Sequence, residues 1–180
     1  NCSATHVGGG AVLRSRSMAQ FSHTTIDGCL AALGAGVSIS SGGNVLMTET
    51  SSISNCVSSS GGGAVRVESS TLEFRGQAID NVADAGGALY INEGSTVACN
   101  GAIFANNSAR LFGGAIMVTV GSTLIMTRSR VESNVAESYQ GGGIHAEESS
   151  RVVITASIFR SNSAGESVTG GKGGALYIDS

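Results

Sequence analysis

The sequence predicts an all-β chain: a right-handed, single-stranded parallel β-helix of about seven coils, with ~27 residues and three short strands in each. Three observations predict it. A phrase of Gly-Gly-Ala followed by apolar-x-apolar recurs along the chain. Between its copies lie short stretches with an apolar residue at every second position, the periodicity of strands. The chain holds 27 glycines and no proline, which suits tight stacked turns whose backbone N–H groups all donate from coil to coil.

The first strand of each coil follows the glycine phrase. Clear copies are Gly62-Gly63-Ala64-Val65-Arg66-Val67, Gly86-Gly87-Ala88-Leu89-Tyr90-Ile91, Gly113-Gly114-Ala115-Ile116-Met117-Val118 and Gly173-Gly174-Ala175-Leu176-Tyr177-Ile178. Gly9-Gly10-Ala11-Val12 opens the series, and Gly34-Ala35-Gly36 and Gly141-Gly142-Gly143 are degenerate copies. The third residue of the phrase falls at 11, 36, 64, 88, 115, 143 and 175, at spacings of 25, 28, 24, 27, 28 and 32. The second strand is Asn44–Met47, Thr71–Phe74, Thr96–Cys99, Thr123–Met126 and Arg151–Ile154 in successive coils. The third runs into an asparagine corner, as in Phe104-Ala105-Asn106-Asn107-Ser108-Ala109 and Phe159-Arg160-Ser161-Asn162-Ser163-Ala164. Shorter versions are Ile79-Asp80-Asn81 and Ile53-Ser54-Asn55.

Three strands in so few residues leave no room for the 8–12-residue strand spacing of an antiparallel sandwich. A chain that returns to the same place each repeat fits, with coils stacked about 4.8 Å apart and a height of about 33 Å. The crossover preference of parallel strands makes the coil right-handed. Equivalent residues then form columns. The pairs Val65/Val67, Leu89/Ile91, Ile116/Val118, Leu72/Phe74, Leu124/Met126 and Val152/Ile154 point inward as one core. Asn55, Asn81, Asn107, Asn134 and Asn162 are expected to form an amide ladder. The chain opens Asn1-Cys2-Ser3 and closes inside a repeat, so residues 1–180 read as one uncapped slice of a longer solenoid.

Composition excludes other classes. With 41% hydrophobic and 13% charged residues, the chain is not of disordered type. Ten Lys and Arg against thirteen Asp and Glu argue against a nucleic-acid partner. The longest near-apolar run, Cys29 to Val37, is about half of the ~20 residues a spanning helix needs.

Gly-Gly-Ala-apolar combined with Phe-x-x-Asn-x-Ala, carried by Phe104–Ala109 and Phe159–Ala164, resembles the repeat of the chlamydial polymorphic outer-membrane proteins and related autotransporter passengers. The resemblance spans nearly the whole chain. It implies a right-handed β-helix at a cell surface, with a structural or adhesive role.

β-Helices also host polysaccharide lyases and hydrolases, which need clustered carboxylates on one outward face. The outward column of the first sheet reads Leu13, Ser38, Arg66, Tyr90, Met117, His145 and Tyr177, without a carboxylate. That of the second reads Leu46, Glu73, Ala98, Ile125 and Val153, with one. His6, His23 and His145 fall in different parts of the repeat and read as solvent-facing residues, not as zinc ligands. No catalytic residue, metal site or cofactor is therefore expected.

Cys2, Cys29 and Cys56 recur every 27 residues and should share a column, directly after the ladder position. A stacking distance near 4.8 Å admits one disulfide among them, or three buried thiols. Cys99 falls on an inward position and reads as a core thiol. Glycosylation sequons begin at Asn1 and Asn106, and Asn106 is the candidate N-glycan site. Tyr90, Met117, His145 and Tyr177 form a candidate stripe for lateral contact or for sugar rings, and Leu46, Ala98, Ile125 and Val153 form a second apolar stripe. Glu132 and Arg160 hold equivalent places in neighbouring coils and can pair across the stack. The threonine columns begun by Thr71, Thr96 and Thr123, and by Thr48, Thr127 and Thr155, are interrupted by Asn44, Arg151 and Arg75, which disfavours an ice-binding face.

The expected function is therefore a non-enzymatic, extracellular or cell-surface solenoid, a stiff spacer or a building block of a filament, coat or adhesin. Its partners would be further coils, other copies or surface glycans, with no nucleic acid and no direct membrane insertion. The alternative is a carbohydrate-binding or carbohydrate-cleaving β-helix of pectate-lyase type.

Overall fold

A computed structural model describes residues 2–165 and 173–179. All strand pairs are parallel, and they form four ladders running the length of the stack. The first ladder has seven strands, from Ala11–Leu13 to Leu176–Ile178, and each of the others has six. The chain thus winds through six full coils and begins a seventh. The coil is right-handed, the sense that parallel crossovers of twisted strands favour. The three expected strands are present in every full coil. A fourth, shorter ladder follows the asparagine corner, built from segments such as Val57–Ser58, Val82–Ala85 and Val135–Ala136.

Alternation decides what faces inward. In Thr71–Phe74, Leu72 and Phe74 are buried while Thr71 is exposed, and every second-ladder strand repeats the phase. Val65, Val67, Leu89, Ile91, Ile116 and Val118 are fully buried, and so are Leu124 and Met126. Phe74 and Phe104 stack across the core at 5.3 Å between ring centroids. Val152 and Ile154, in the sixth coil, are partly buried and pack on this core. Cys99 is buried among these apolar residues, as expected, and desolvation pushes its thiol well above the usual range.

The register corrects the sequence reading at the first copy of the glycine phrase. Ala11 pairs with Val37, so Gly10, not Ala11, holds the phrase's third position. Val12 therefore takes the outward place assigned to Leu13, which is buried at 8%. Three consecutive glycines, Gly8 to Gly10, make the two alignments look alike in sequence. Hydrogen-bond pairing separates them, because a slip of one residue would turn Leu13 out to water and Val12 into the core.

The glycines of the phrase have two different duties. The first has positive φ in every coil, as at Gly86 (59°) and Gly113 (60°), a conformation that a side chain disfavours. The second passes close to the coil above: a Cβ on Gly114 would lie 2.1 Å from the carbonyl oxygen of Gly142. The third position carries Ala64, Ala88 and Ala115, all fully buried.

Candidate functional site

Two features of the stack carry chemistry: the column at the corner between the third and fourth ladders, and the outer wall of the first ladder. The corner turns at a left-handed residue in each coil, Gly28, Asn55, Asp80, Asn106, Ser133 and Ser161. The residue after it points back into the stack. At Asn81, Asn107 and Asn134 that side chain is buried, and its amide bridges coils. Asn107 Oδ1 accepts from the Asn81 backbone N–H at 3.1 Å and from Asn81 Nδ2 at 3.0 Å. Asn107 Nδ2 donates to Ala78 O and to Asn134 Oδ1 at 3.0 and 2.9 Å. Asn134 and Asn162 repeat the arrangement at 2.9 and 3.0 Å. The expected ladder is therefore present from Asn81 to Asn162.

Asn55 does not belong to it. Ser54 aligns with Ile79 and Val57 with Val82, which places Asn55 opposite Asp80, at the exposed left-handed corner. There Asn55 and Ser54 donate to the Asp27 carboxylate at 2.8 and 2.7 Å and hold it below the usual carboxylate range. The ladder position of that coil is Cys56, whose N–H donates to Asn81 Oδ1 at 3.1 Å. The cysteines therefore do not follow the ladder; they occupy it. The column runs Cys2, Cys29, Cys56, Asn81, Asn107, Asn134, Asn162, as the pairings Ser3–Leu30, Leu30–Val57 and Val57–Val82 require. All four cysteines are thiols in the structure, with Cys29 and Cys56 buried and Cys2 exposed. Burial pushes the Cys56 thiol up to about 12 and raises that of Cys29.

Asn106 is exposed at the left-handed corner (φ 55°), so of the tandem Asn106-Asn107 the sequon asparagine is the one that faces solvent. Asn1 lies outside the described residues.

The first-ladder wall departs from expectation. Its register column is Val12, Ser38, Arg66, Tyr90, Met117, His145 and Tyr177. Met117 and His145, expected to be solvent-facing, are 3% and 1% exposed. Beside His145 stand two side chains the sequence reading did not single out, Phe112 at the end of the fourth-ladder strand Ser108–Phe112 and Tyr139 in the segment after Val135–Ala136. Phe112 lies 4.9 Å from the His145 ring and stacks on Tyr139 at 5.0 Å, while Tyr177 stacks on His145 at 5.0 Å. His145 Nε2 lies 3.1 Å from Glu147 Oε2, and Nδ1, buried, has no partner among the described residues. Further along, the Arg66 guanidinium sits over the Tyr90 ring at 4.9 Å and pairs with Glu68 at 3.2 Å. Burial raises the Tyr90 hydroxyl's pKa, and the hydrogen bond to Asp179 raises that of Tyr177. The wall therefore presents Tyr90, Tyr139 and Tyr177 rather than a four-residue open stripe.

The second-ladder column Leu46, Glu73, Ala98, Ile125, Val153 holds in register, and Ile125 is 39% exposed. The broken threonine columns hold too. Glu132 is opposite Arg160, but its ion pair is with Arg130 on its own strand at 3.5 Å. A two-residue spacing keeps both side chains on one face of the strand, within reach of each other. A further column, Leu30, Val57, Val82, Ser108 and Val135, lies on the fourth ladder with its four apolar residues half-exposed and Ser108 interrupting them. Four of its strands have only two residues, too short to read as period-2 segments. Among the described residues no three of His, Cys, Asp or Glu converge to hold a metal, and no helix is long and apolar enough to cross a membrane.

Comparison with known families matches residues 9–179 to the right-handed beta helix region, and the chain belongs to that family. No curated protein and no solved structure matches the chain.

Proposed function

We propose that the chain is a structural solenoid of an extracellular or cell-surface protein, a stiff spacer or building block of a filament, coat or adhesin. The observation that carries this reading is the continuity of axial bonding. Four backbone ladders link the six full coils, and the asparagine column adds amide bonds from Asn81 to Asn162, so a pull along the axis is shared by several hydrogen bonds per coil. Each added repeat also lengthens the core it buries. A surface role agrees with the resemblance to polymorphic outer-membrane proteins and with the exposed sequon at Asn106. The test is labelling of intact source cells with an antibody raised to this segment. Surface label without permeabilisation supports the reading; label only after permeabilisation refutes it.

A second reading, carbohydrate binding, is favoured by the aromatic wall. Sugar rings stack on aromatic faces, and Glu147 and Asp179 lie beside the tyrosines to meet hydroxyl groups. Binding on a glycan array that Tyr90→Ala plus Tyr177→Ala abolishes would favour it, and turnover in a polysaccharide depolymerisation assay would make the protein an enzyme. A flat array would remove it.

A further inference from the structure

We propose that Cys29 and Cys56 form a disulfide that ties the first coil to the second, in the place the asparagine ladder holds further along the stack. From Asn107 onward, each ladder asparagine offers a carbonyl to the backbone N–H and side-chain amide of the asparagine in the coil before it. A cysteine thiol is a weak acceptor and offers no such clamp. Two thiols stacked in one column can instead bridge the same gap with a covalent bond.

The placement fits. Asp27 pairs with Ser54 on one side of the corner and Leu30 with Val57 on the other, so residues 29 and 56 are opposite across one coil. A coil spacing of about 4.8 Å lies within the ~4.4–6.8 Å span between Cα atoms joined by a disulfide. Both thiols turn the same way, Cys56 Sγ toward Ser54 O at 3.2 Å and Cys29 Sγ toward Asp27 O at 3.8 Å. Bond formation requires one side chain to rotate, and both residues lie in the corner between strands rather than inside one. Cys29 and Cys56 are 1% and 0% exposed and are flanked by paired strands on both sides. Cys2 is exposed and sits beside a single isolated bridge, Ser3–Leu30. The internal pair is therefore better positioned than Cys2 with Cys29.

The oxidant is a small or protein disulfide. One thiolate of the pair attacks its sulfur and expels a thiolate; the second then attacks the mixed disulfide and expels the other. Two protons leave the protein, two electrons pass to the oxidant, and one S–S bond forms. Buried and weakly acidic, the two thiols react slowly once packed, so the bond forms during folding. In the cell the bond requires an oxidising compartment and so rests on the extracellular reading, but the pairing is testable apart from it.

Reduced, denatured chain is refolded in mixed reduced and oxidised glutathione, alkylated, and digested with trypsin without reduction. Residues 17–65 contain no Lys or Arg, so the tryptic fragment 17–66, ending at Arg66, carries both cysteines; residues 1–14 carry Cys2, and residues 76–110 carry Cys99. The expected result is a 17–66 fragment two hydrogens lighter and unalkylated, with Cys2 and Cys99 alkylated. The oxidised chain should melt roughly 7–14 °C above the reduced one, from closure of a loop of 27 residues. Cys29→Ser should remove that difference and leave Cys56 alkylated. A doubly alkylated 17–66 fragment, a link from 17–66 to 1–14, or a glutathione adduct on either cysteine would overturn the proposal. If the bond forms in vitro but intact cells show no surface label, the extracellular reading fails and the pairing stands.

Discussion

Replacing Asn107 by alanine tests the axial clamp directly. The side chain is 1% exposed and makes four hydrogen bonds, two through Oδ1 to Asn81 and two through Nδ2 to Ala78 and Asn134. Its loss leaves the buried Asn81 backbone N–H without that acceptor, at about 1–3 kcal/mol. Asn81 Nδ2 keeps its bond to Ile53 O, and Asn134 Oδ1 keeps the Asn107 backbone N–H, so the damage there is partial. Adding about 1 kcal/mol for the net worth of the remaining lost bonds gives a destabilisation of about 2–4 kcal/mol. Urea titration followed by circular dichroism measures it, and hydrogen exchange at the Asn81 N–H shows where it acts. Asn100→Ala is the control: Asn100 is exposed, its side chain accepts one hydrogen bond among the described residues, a 3.4 Å bond from Arg128, and the expected change is within about 0.5 kcal/mol. If Asn107→Ala costs under about 1 kcal/mol and the Asn81 amide stays protected, the ladder is not a clamp.

Phe104→Ala removes a fully buried ring stacked on Phe74 and should cost about 3–5 kcal/mol in the same urea assay. Gly114→Ala places a methyl 2.1 Å from the Gly142 carbonyl oxygen and should abolish soluble, folded protein. Gly101→Ala meets no atom within 4 Å and pays only for its positive φ of 69°, about 1–2 kcal/mol by thermal melting. Arg110 holds the Asp84 carboxyl below its usual range through bonds of 2.8 and 3.1 Å. A depressed carboxyl stabilises the fold above its unfolded pKa and loses that contribution as pH falls through the folded value. Both side chains are more than a third exposed, so Asp84→Asn should cost only about 0.2–1 kcal/mol at pH 7, and the difference should vanish as melts are taken progressively below pH ~4.

The repeat made most of the fold legible. Alternation assigned the inward residues of the second ladder without error, because Leu72, Phe74, Leu124 and Met126 leave one phase that buries them all. Register was legible only where the repeat is unambiguous. At Asn55 a similar residue stood one place from the ladder, and the pairings of Ser54 and Val57 settled its position. The column of thiols was legible from the spacing of 27, whereas its identity with the asparagine column was not.

By itself the sequence determined the period, the parallel coil and the apolar interior, because side-chain alternation and glycine turns act locally and repeat. The tertiary structure decided what covers the outside. Met117 and His145 point away from the core and are nonetheless buried: Phe112, from the end of a fourth-ladder strand, and Tyr177 pack on the His145 ring, and Tyr139 stacks on Phe112. Burial is a property of everything that reaches a place in space, and a periodic reading along one strand cannot count neighbours delivered by other strands and turns.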